Sequence, residues 1–278
     1  MEIDQKIRTA ARWVQEAPVL LITAGAGMGV DSGLPDFRGN DGLWNAYPPL
    51  AKAGWSFSEA ASPAAFWSRP ELAWGFYAHR LAMYRCVQPH AGFDILLRWA
   101  RQAPEGYRVF TSNVDGHFQK AGFDPSRIVE CHGSIHEFQC LAPCCEEIWS
   151  ADVFKPEFVD EAELQLKSLP HCPRCGELAR PRVLMFNDAD WIADPDEAQF
   201  GDFTAWAYAH RRRLLVIELG AGKAIPTVRI YGERYAHRLI RINMREAGVR
   251  SGGNNLGISG AALELLQKVD EAMCGRFP

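Results

Sequence analysis

Two sets of residues in this 278-residue chain have the types and spacing to do chemistry. The first is a cluster of thiols. Five of the eight cysteines fall between residues 140 and 175: Cys140, Cys144 and Cys145, then Cys172 and Cys175 in the run Cys-Pro-Arg-Cys-Gly. A Cys-x2-Cys knuckle set against a second close pair is the ligand pattern of a structural Zn2+ site, with four thiolates at the corners of a tetrahedron. Cys140, Cys144, Cys172 and Cys175 are the expected ligands; Cys145 is the alternative to Cys144 and is otherwise a spare thiol. Four thiolates leave no open coordination position, which argues against a catalytic metal, and the adjacent His171 is expected to be a bystander. The competing account, reduced core cysteines, fits poorly with their crowding beside Pro and Gly.

The second set is glycine-rich. Val19-Leu20-Leu21-Ile22-Thr23 runs straight into Ala24-Gly25-Ala26-Gly27-Met28-Gly29. A short apolar strand feeding a glycine turn opens a nucleotide-binding βα unit, because Gly25 and Gly27 let main-chain N–H groups approach a pyrophosphate. A dehydrogenase fingerprint would carry a third glycine at position 30, where Val30 stands, so the turn alone is a weak signal. A second strand and turn follow at Leu214–Leu219 and Gly220-Ala221-Gly222.

The elements that must position these residues alternate. Apolar spacing predicts helices over 3–16, 71–86, 91–102 and near 260–273. Short buried strands are expected at 19–23, 107–111, 128–133, 183–186, 214–219 and 239–243, the last followed by a glycine-rich stretch. Residues 40–70 read as loop-rich. Polar or glycine residues sit at the strand carboxyl ends, which predicts an α/β fold: a Rossmann-like, doubly wound parallel sheet with its crevice at those ends. The alternation lapses over 136–180, where the thiols lie. The expected domains are therefore a discontinuous nucleotide-binding unit (1–135 and 181–278, with a helical or loop insert at about 40–90) and an inserted zinc-binding module at 136–180.

Composition bounds the function. Apolar residues make up 47% and charged residues 23%, which excludes a disordered chain. The net charge of -4 offers no electrostatic attraction to nucleic acid or an anionic membrane, so neither is an expected partner. No run reaches the length of a membrane span and the charged N-terminus lacks a signal-peptide core, so a cytoplasmic location is expected. Nothing in the sequence speaks to oligomeric state.

Beyond the first turn, Asp31-Ser32-Gly33-Leu34-Pro35-Asp36-Phe37-Arg38-Gly39 resembles, together with Gly25-Ala26-Gly27, the GAG…SG-I-PDFRG signature of the sirtuins, the NAD-dependent protein deacylases. Thr111-Ser112-Asn113-Val114-Asp115-Gly116 resembles their T-Q-N-I-D element, Glu130-Cys131-His132-Gly133-Ser134 their L-H-G-S, and Arg180–Phe186 their R-P-x-V-V-x-F. The motifs fall in family order across about 20–245, and the cysteine pairs occupy the zinc-ribbon position. The resemblance implies a protein lysine deacylase that takes NAD and an acylated protein lysine and releases nicotinamide and O-acyl-ADP-ribose. It implies His132 as the base that activates a ribose hydroxyl, with Asn113 and Asp115 in the nicotinamide and ribose pocket. Gly25, Ala26, Gly27, Met28 and Ser112 would contact the cofactor, with Asp36, Phe37 and Arg38 forming a mobile cofactor loop. Gly220, Ala221 and Gly222 match the family's Gly-Thr/Ser-Ser, and Asn243 the Asn that contacts the adenosine half.

Four departures from the family pattern stand out. Gly29 stands for a serine, Ser112 for a glutamine, and Asn187-Asp188 for Gly-Glu where a substrate peptide pairs; Gly220-Ala221-Gly222 lacks the hydroxyls. The stretch 218–226 resembles a bacterial, macrodomain-linked branch of protein ADP-ribosyltransferases. The alternatives are therefore a mono-ADP-ribosyltransferase or NAD hydrolase, or a non-catalytic NAD or ADP-ribose sensor. His132 and Asp36-Phe37-Arg38, which that branch is understood to lose, favour the deacylase. Tyr77 and Arg80 have the x2 spacing that the family uses for acidic acyl groups; with Tyr84 and Arg85 they also fit a solvated helix face.

Overall fold

The computed structural model describes residues 2–35, 39–193 and 197–277. The chain opens with helix α1 (Ile3–Glu16) and strand β1 (Val19–Ala24). Five helices follow the first glycine turn: α2 (Gly39–Ala46), α3 (Pro48–Lys52), α4 (Phe57–Ala60), α5 (Pro63–Ser68) and the long α6 (Pro70–Cys86). Then come α7 (Ala91–Gln102), β2 (Tyr107–Thr111), the single turn α8 (His117–Lys120) and β3 (Ile128–Glu130). Strands β4 (Gly133–Cys140), β5 (Trp149–Ser150), β6 (Phe158–Asp160), β7 (Gln165–Leu166) and β8 (Ala179–Val183) form the middle of the chain. It closes with α9 (Glu197–His210), β9 (Leu214–Leu219), α10 (Thr227–Tyr235), β10 (Arg238–Ile242), β11 (Asn255–Ile258) and α11 (Ala262–Met273).

One sheet of six parallel strands runs β11-β10-β9-β1-β2-β3. Numbered within that sheet alone, the order is 3-2-1-4-5-6, the doubly wound arrangement whose strand order reverses between β1 and β9. Both of these strands are buried along their whole length. Alternate side chains serve opposite faces, as the pleat requires. Leu20 and Ile22 join α1, α7 and α11 in one core, whereas Val19 and Leu21 join Phe203 of α9 and Val228 and Tyr235 of α10 in the other. Strand-terminal Leu219 and Ala24 thus deliver both glycine turns to the same end of the sheet.

Strands β5-β4-β8 form a separate antiparallel sheet and β6-β7 a two-stranded one. A third core joins this region to α5 and α6 through Phe66, Trp74, Phe138 and Phe154. The indole of Trp74 donates to the Ala179 carbonyl at 2.8 Å, tying α6 to β8.

Three expectations about elements need correction. The strand expected at 183–186 lies earlier, at Ala179–Val183, and carries Arg180 and Arg182. Those arginines are buried with carboxylate partners, so charge disguised a core strand. The glycine-rich stretch after residue 243 contains β11, hidden because only Leu256 and Ile258 are apolar. A Cβ on Gly257 would come within 2.0 Å of the Ala247 carbonyl oxygen, so the glycine is a packing requirement. The loop-rich reading of 40–70 gives way to four short helices. Proline begins α3 and α5, and Ser56 and Ser62 cap α4 and α5 through main-chain N–H groups.

Candidate functional site

A crevice of about 450 Å³ lies where the strand order reverses, at the carboxyl ends of β1 and β9. Gly25 and Ala26 form one part of its wall and Gly220, Ala221 and Gly222 another. The two turns are one unit. Gly25 N donates to Leu219 O at 3.0 Å, and Gly27 N donates to Gly220 O at 3.1 Å. Gly220 sits at φ +60°, where a Cβ would come within 2.4 Å of the Gly27 carbonyl carbon. Gly25 has a similar constraint: its missing Cβ would meet Ala221 Cα at 2.8 Å. Docking of the second turn therefore requires glycine at position 25.

The loop after β2 brings Ser112, Asn113 and Asp115 to the crevice. Thr111 fixes that loop through its hydroxyl, which donates to Ala24 O and accepts from Asn113 N, both at 3.0 Å. Asp115 Oδ1 accepts from His117 N at 2.9 Å, so this side chain both caps a turn and faces the crevice. His132 follows β3 and also lines the crevice. Its own carbonyl accepts from Leu184 N at 2.9 Å. The next residue, Gly133, is at φ +73°, and a Cβ there would lie 2.0 Å from the Arg182 carbonyl oxygen. The chain must turn sharply after His132, and only glycine permits it. Burial holds the imidazole below its ordinary value, so it is neutral at pH 7.

Other expected site residues sit elsewhere. Among the described residues, Gly27, Met28 and Asn243 are not part of the crevice wall. Met28 is core, and its carbonyl faces His90 Nε2 at 3.0 Å. Asn243 is buried behind the second turn. Its amide nitrogen donates to Ala221 O at 2.9 Å, and its oxygen accepts from the N–H groups of Arg245 and Glu246. Asp36, Phe37 and Arg38 lie outside the described residues. At Gly29, the space beside the missing side chain is taken by Leu34, whose Cδ1 lies 3.1 Å from where a Cβ would stand.

The opposite wall comes from α6 and the segment after β8. Tyr77, Arg80 and Tyr84 all line the crevice and are buried, which removes the solvated-face reading for this trio. Arg80 donates from Nε and Nη2 to the Tyr84 hydroxyl at 3.2 and 2.9 Å. Its guanidinium carbon also lies 5.4 Å from the ring centroids of Tyr77 and Tyr84. Arg85 points away, donating to the carbonyls of Ala151 and Phe154. Leu184, Met185 and Phe186 complete this side. Asp188 anchors them: its oxygens take two bonds from Arg180, at 2.7 and 2.8 Å, and one from Met185 N at 3.1 Å. Neither side chain of that ion pair is exposed.

Glu130 is a site residue that the motifs do not point to. It lines a second cavity that shares Tyr84 and Asp115 with the crevice. Burial, then the charges of Asp115 and Glu137, push its carboxyl up to about 8. Its signal was slight: an acid at the carboxyl end of a buried strand.

About the thiols the geometry is specific. The sulfurs of Cys140, Cys144, Cys172 and Cys175 lie within 4.8 Å of one another. Cys140 Sγ is 3.6 Å from Cys175 Sγ and Cys144 Sγ is 3.7 Å from Cys172 Sγ. A tetrahedral Zn2+ with bonds of about 2.3 Å needs sulfurs about 3.8 Å apart, so these four fit it. Cys145 lies outside the set, 3.7 Å from Cys144 Sγ. His171 turns its Nδ1 to the Gly176 carbonyl.

Comparison with known proteins agrees with this architecture. The family model described as the Sir2 family matches residues 25–194. An "NAD-dependent protein deacylase" of Aquifex aeolicus is 34% identical over 170 residues, 61% of this chain and 62% of the relative's length. One of the same description from Thermococcus kodakarensis is 29% identical over 96% of this chain and 97% of its own. A crystal structure of a Sir2 homolog–NAD complex superposes with a TM-score of 0.68 at 24% identity, covering 96% of this chain and 94% of that one.

Proposed function

This chain belongs to the Sir2 family, and from that membership we propose that it is an NAD-dependent protein lysine deacylase. The observation that carries the proposal is one crevice at the sheet's switch point lined by both glycine turns, Ser112, Asn113, Asp115 and His132. Dinucleotides bind at such a point in doubly wound sheets. Bound NAD would supply an electrophilic ribose carbon for the acyl oxygen, with nicotinamide as its leaving group, and a ribose hydroxyl to accept the acyl group as the lysine amine departs. In this reading the turns at 25–26 and 220–222 seat the phosphates and Asn113 and Asp115 orient the nicotinamide end. Neutral His132 takes the proton from a ribose hydroxyl. The thiols of Cys140, Cys144, Cys172 and Cys175 would hold a structural Zn2+, outside the reacting centre.

The domain division follows the same reading: 1–135 with 181–278 as the nucleotide-binding unit and 136–180 as the metal-bearing module. The α6 wall bears on acyl choice. Arg80 and Tyr77, buried in the crevice, offer a cation and a phenol to an acyl chain that ends in a carboxylate.

The test is incubation with NAD and acyl-lysine peptides, with products identified by mass spectrometry. Release of nicotinamide and O-acyl-ADP-ribose is expected, with a higher kcat/KM for succinyl than for acetyl or long-chain peptides. His132→Ala is expected to lower turnover by at least about a hundredfold while NAD still binds. Gain of ADP-ribose mass on protein without deacylation would replace this reading with ADP-ribosyl transfer. NAD binding without nicotinamide release would leave a sensor.

A further inference from the structure

We propose that Arg229 is a positioning residue for the cofactor, holding the Gly220–Gly222 turn against the crevice from behind. The inference rests on the NAD-binding reading above. Arg229 lies on α10, 5% exposed. Its Nε and Nη2 both donate to the Ala221 carbonyl, at 3.0 and 2.8 Å, and Nη2 also donates to the Glu246 carbonyl at 2.7 Å. Asn243 Nδ2 is a third donor to the same Ala221 oxygen, at 2.9 Å. Three N–H groups on one main-chain oxygen, two of them from a cation, make an unusually stiff anchor.

The surrounding charges show that an ion pair does not account for this orientation. Fully buried Glu218 is engaged at both oxygens by Arg241, which also reaches Glu233. The carboxylates nearest Arg229 stand farther off, Glu246 at 3.8 Å and Glu218 at 3.9 Å, so its guanidinium spends its close bonds on main chain. Glu246 extends the clamp, since its side chain accepts from Lys223 N at 2.9 Å. Ala221 and Gly222 are crevice wall, and the other end of the turn is docked on Gly27. The turn lacks the hydroxyl side chains that could otherwise grip a ribose or phosphate. Main-chain placement must therefore do that work, and a turn held in its binding conformation gains affinity by that preorganisation.

The test compares wild type, Arg229→Gln, Arg229→Lys and Asn243→Ala by calorimetric titration with ADP-ribose and by steady-state kinetics in NAD. Arg229→Gln is expected to raise Kd for ADP-ribose and KM for NAD by about tenfold or more, with kcat changed less than about twofold. Arg229→Lys, which keeps the cation, should recover most of that loss. Asn243→Ala, which removes one donor, should weaken ADP-ribose by about fivefold. Should Arg229→Gln not fold, Asn243→Ala decides: unaltered ADP-ribose affinity in that variant overturns the proposal. So does normal affinity in a folded Arg229→Gln, or a loss that tracks Tm without any split between KM and kcat. Wild-type protein that fails to bind ADP-ribose overturns the functional reading and this inference together.

Discussion

At the scale of single residues, the proposed role of His132 as base predicts a pH dependence. Its imidazole is held below the ordinary 6.5 by burial. A base must be neutral to accept a proton, so kcat/KM should fall as pH drops through a midpoint below about 6.5 and be flat above it up to about 7.5. The linked stability has the same sign: a depressed imidazole stabilises the fold above its unfolded value, and that contribution is lost as pH falls through the unfolded and then the folded one. A pH–rate profile of wild type checks this; a midpoint above 7 would show that another group titrates. Asp188 shows what was hidden at this scale. Read in sequence, it was a departure from a family pattern. In the fold it closes a buried ion pair eight residues long in sequence, and nothing local announces that Arg180 turns inward. The glycines were easier to find than to explain. Positions 25 and 220 stood out because glycine follows an apolar strand, whereas the reason for each, contact with the other turn, joins segments 195 residues apart in a sequence of 278.

Elements give a second kind of prediction. The segment 184–186 forms part of the crevice without belonging to a strand, and Asp188 is what holds it. Asp188→Ala would leave the Arg180 guanidinium buried without its carboxylate. Such losses cost about 3–5 kcal/mol, so thermal denaturation should show a drop in Tm of several degrees or more. Because Met185 N also loses its acceptor, KM for the peptide should rise in whatever fraction remains folded. A Tm within a degree of wild type would show that the pair contributes nothing net. Long periodic helices such as α1, α7 and α11 were legible because their apolar faces repeat at helical spacing. Strand β11 was not, since its stability comes from pairing with β10 and from the approach of Ala247 to Gly257.

For the whole molecule, the thiol-bearing segment and the parallel sheet are joined at the site itself. Strand β4 starts one residue after His132, and its first residue pairs with Val183, the last of β8. If the four thiols hold Zn2+, purified protein should contain about one zinc per chain by metal analysis. Removing it with a strong chelator should abolish activity, while far-UV circular dichroism keeps most of its helical signal, because α1, α7 and α11 pack on the other sheet. Active protein without zinc would overturn the assignment. Among the described residues no helix is long and apolar enough to cross a membrane.

That junction limits how this protein can be shortened. Cutting out 136–180 and splicing the ends would remove most of β4 and the first residues of β8, yet Leu184 N bonds the His132 carbonyl only because that ladder brings it there. A minimal version must keep the hairpin base, including Arg180 for its pair with Asp188, and trim from the tip, beyond Cys140 and before Ala179, where the ladder ends.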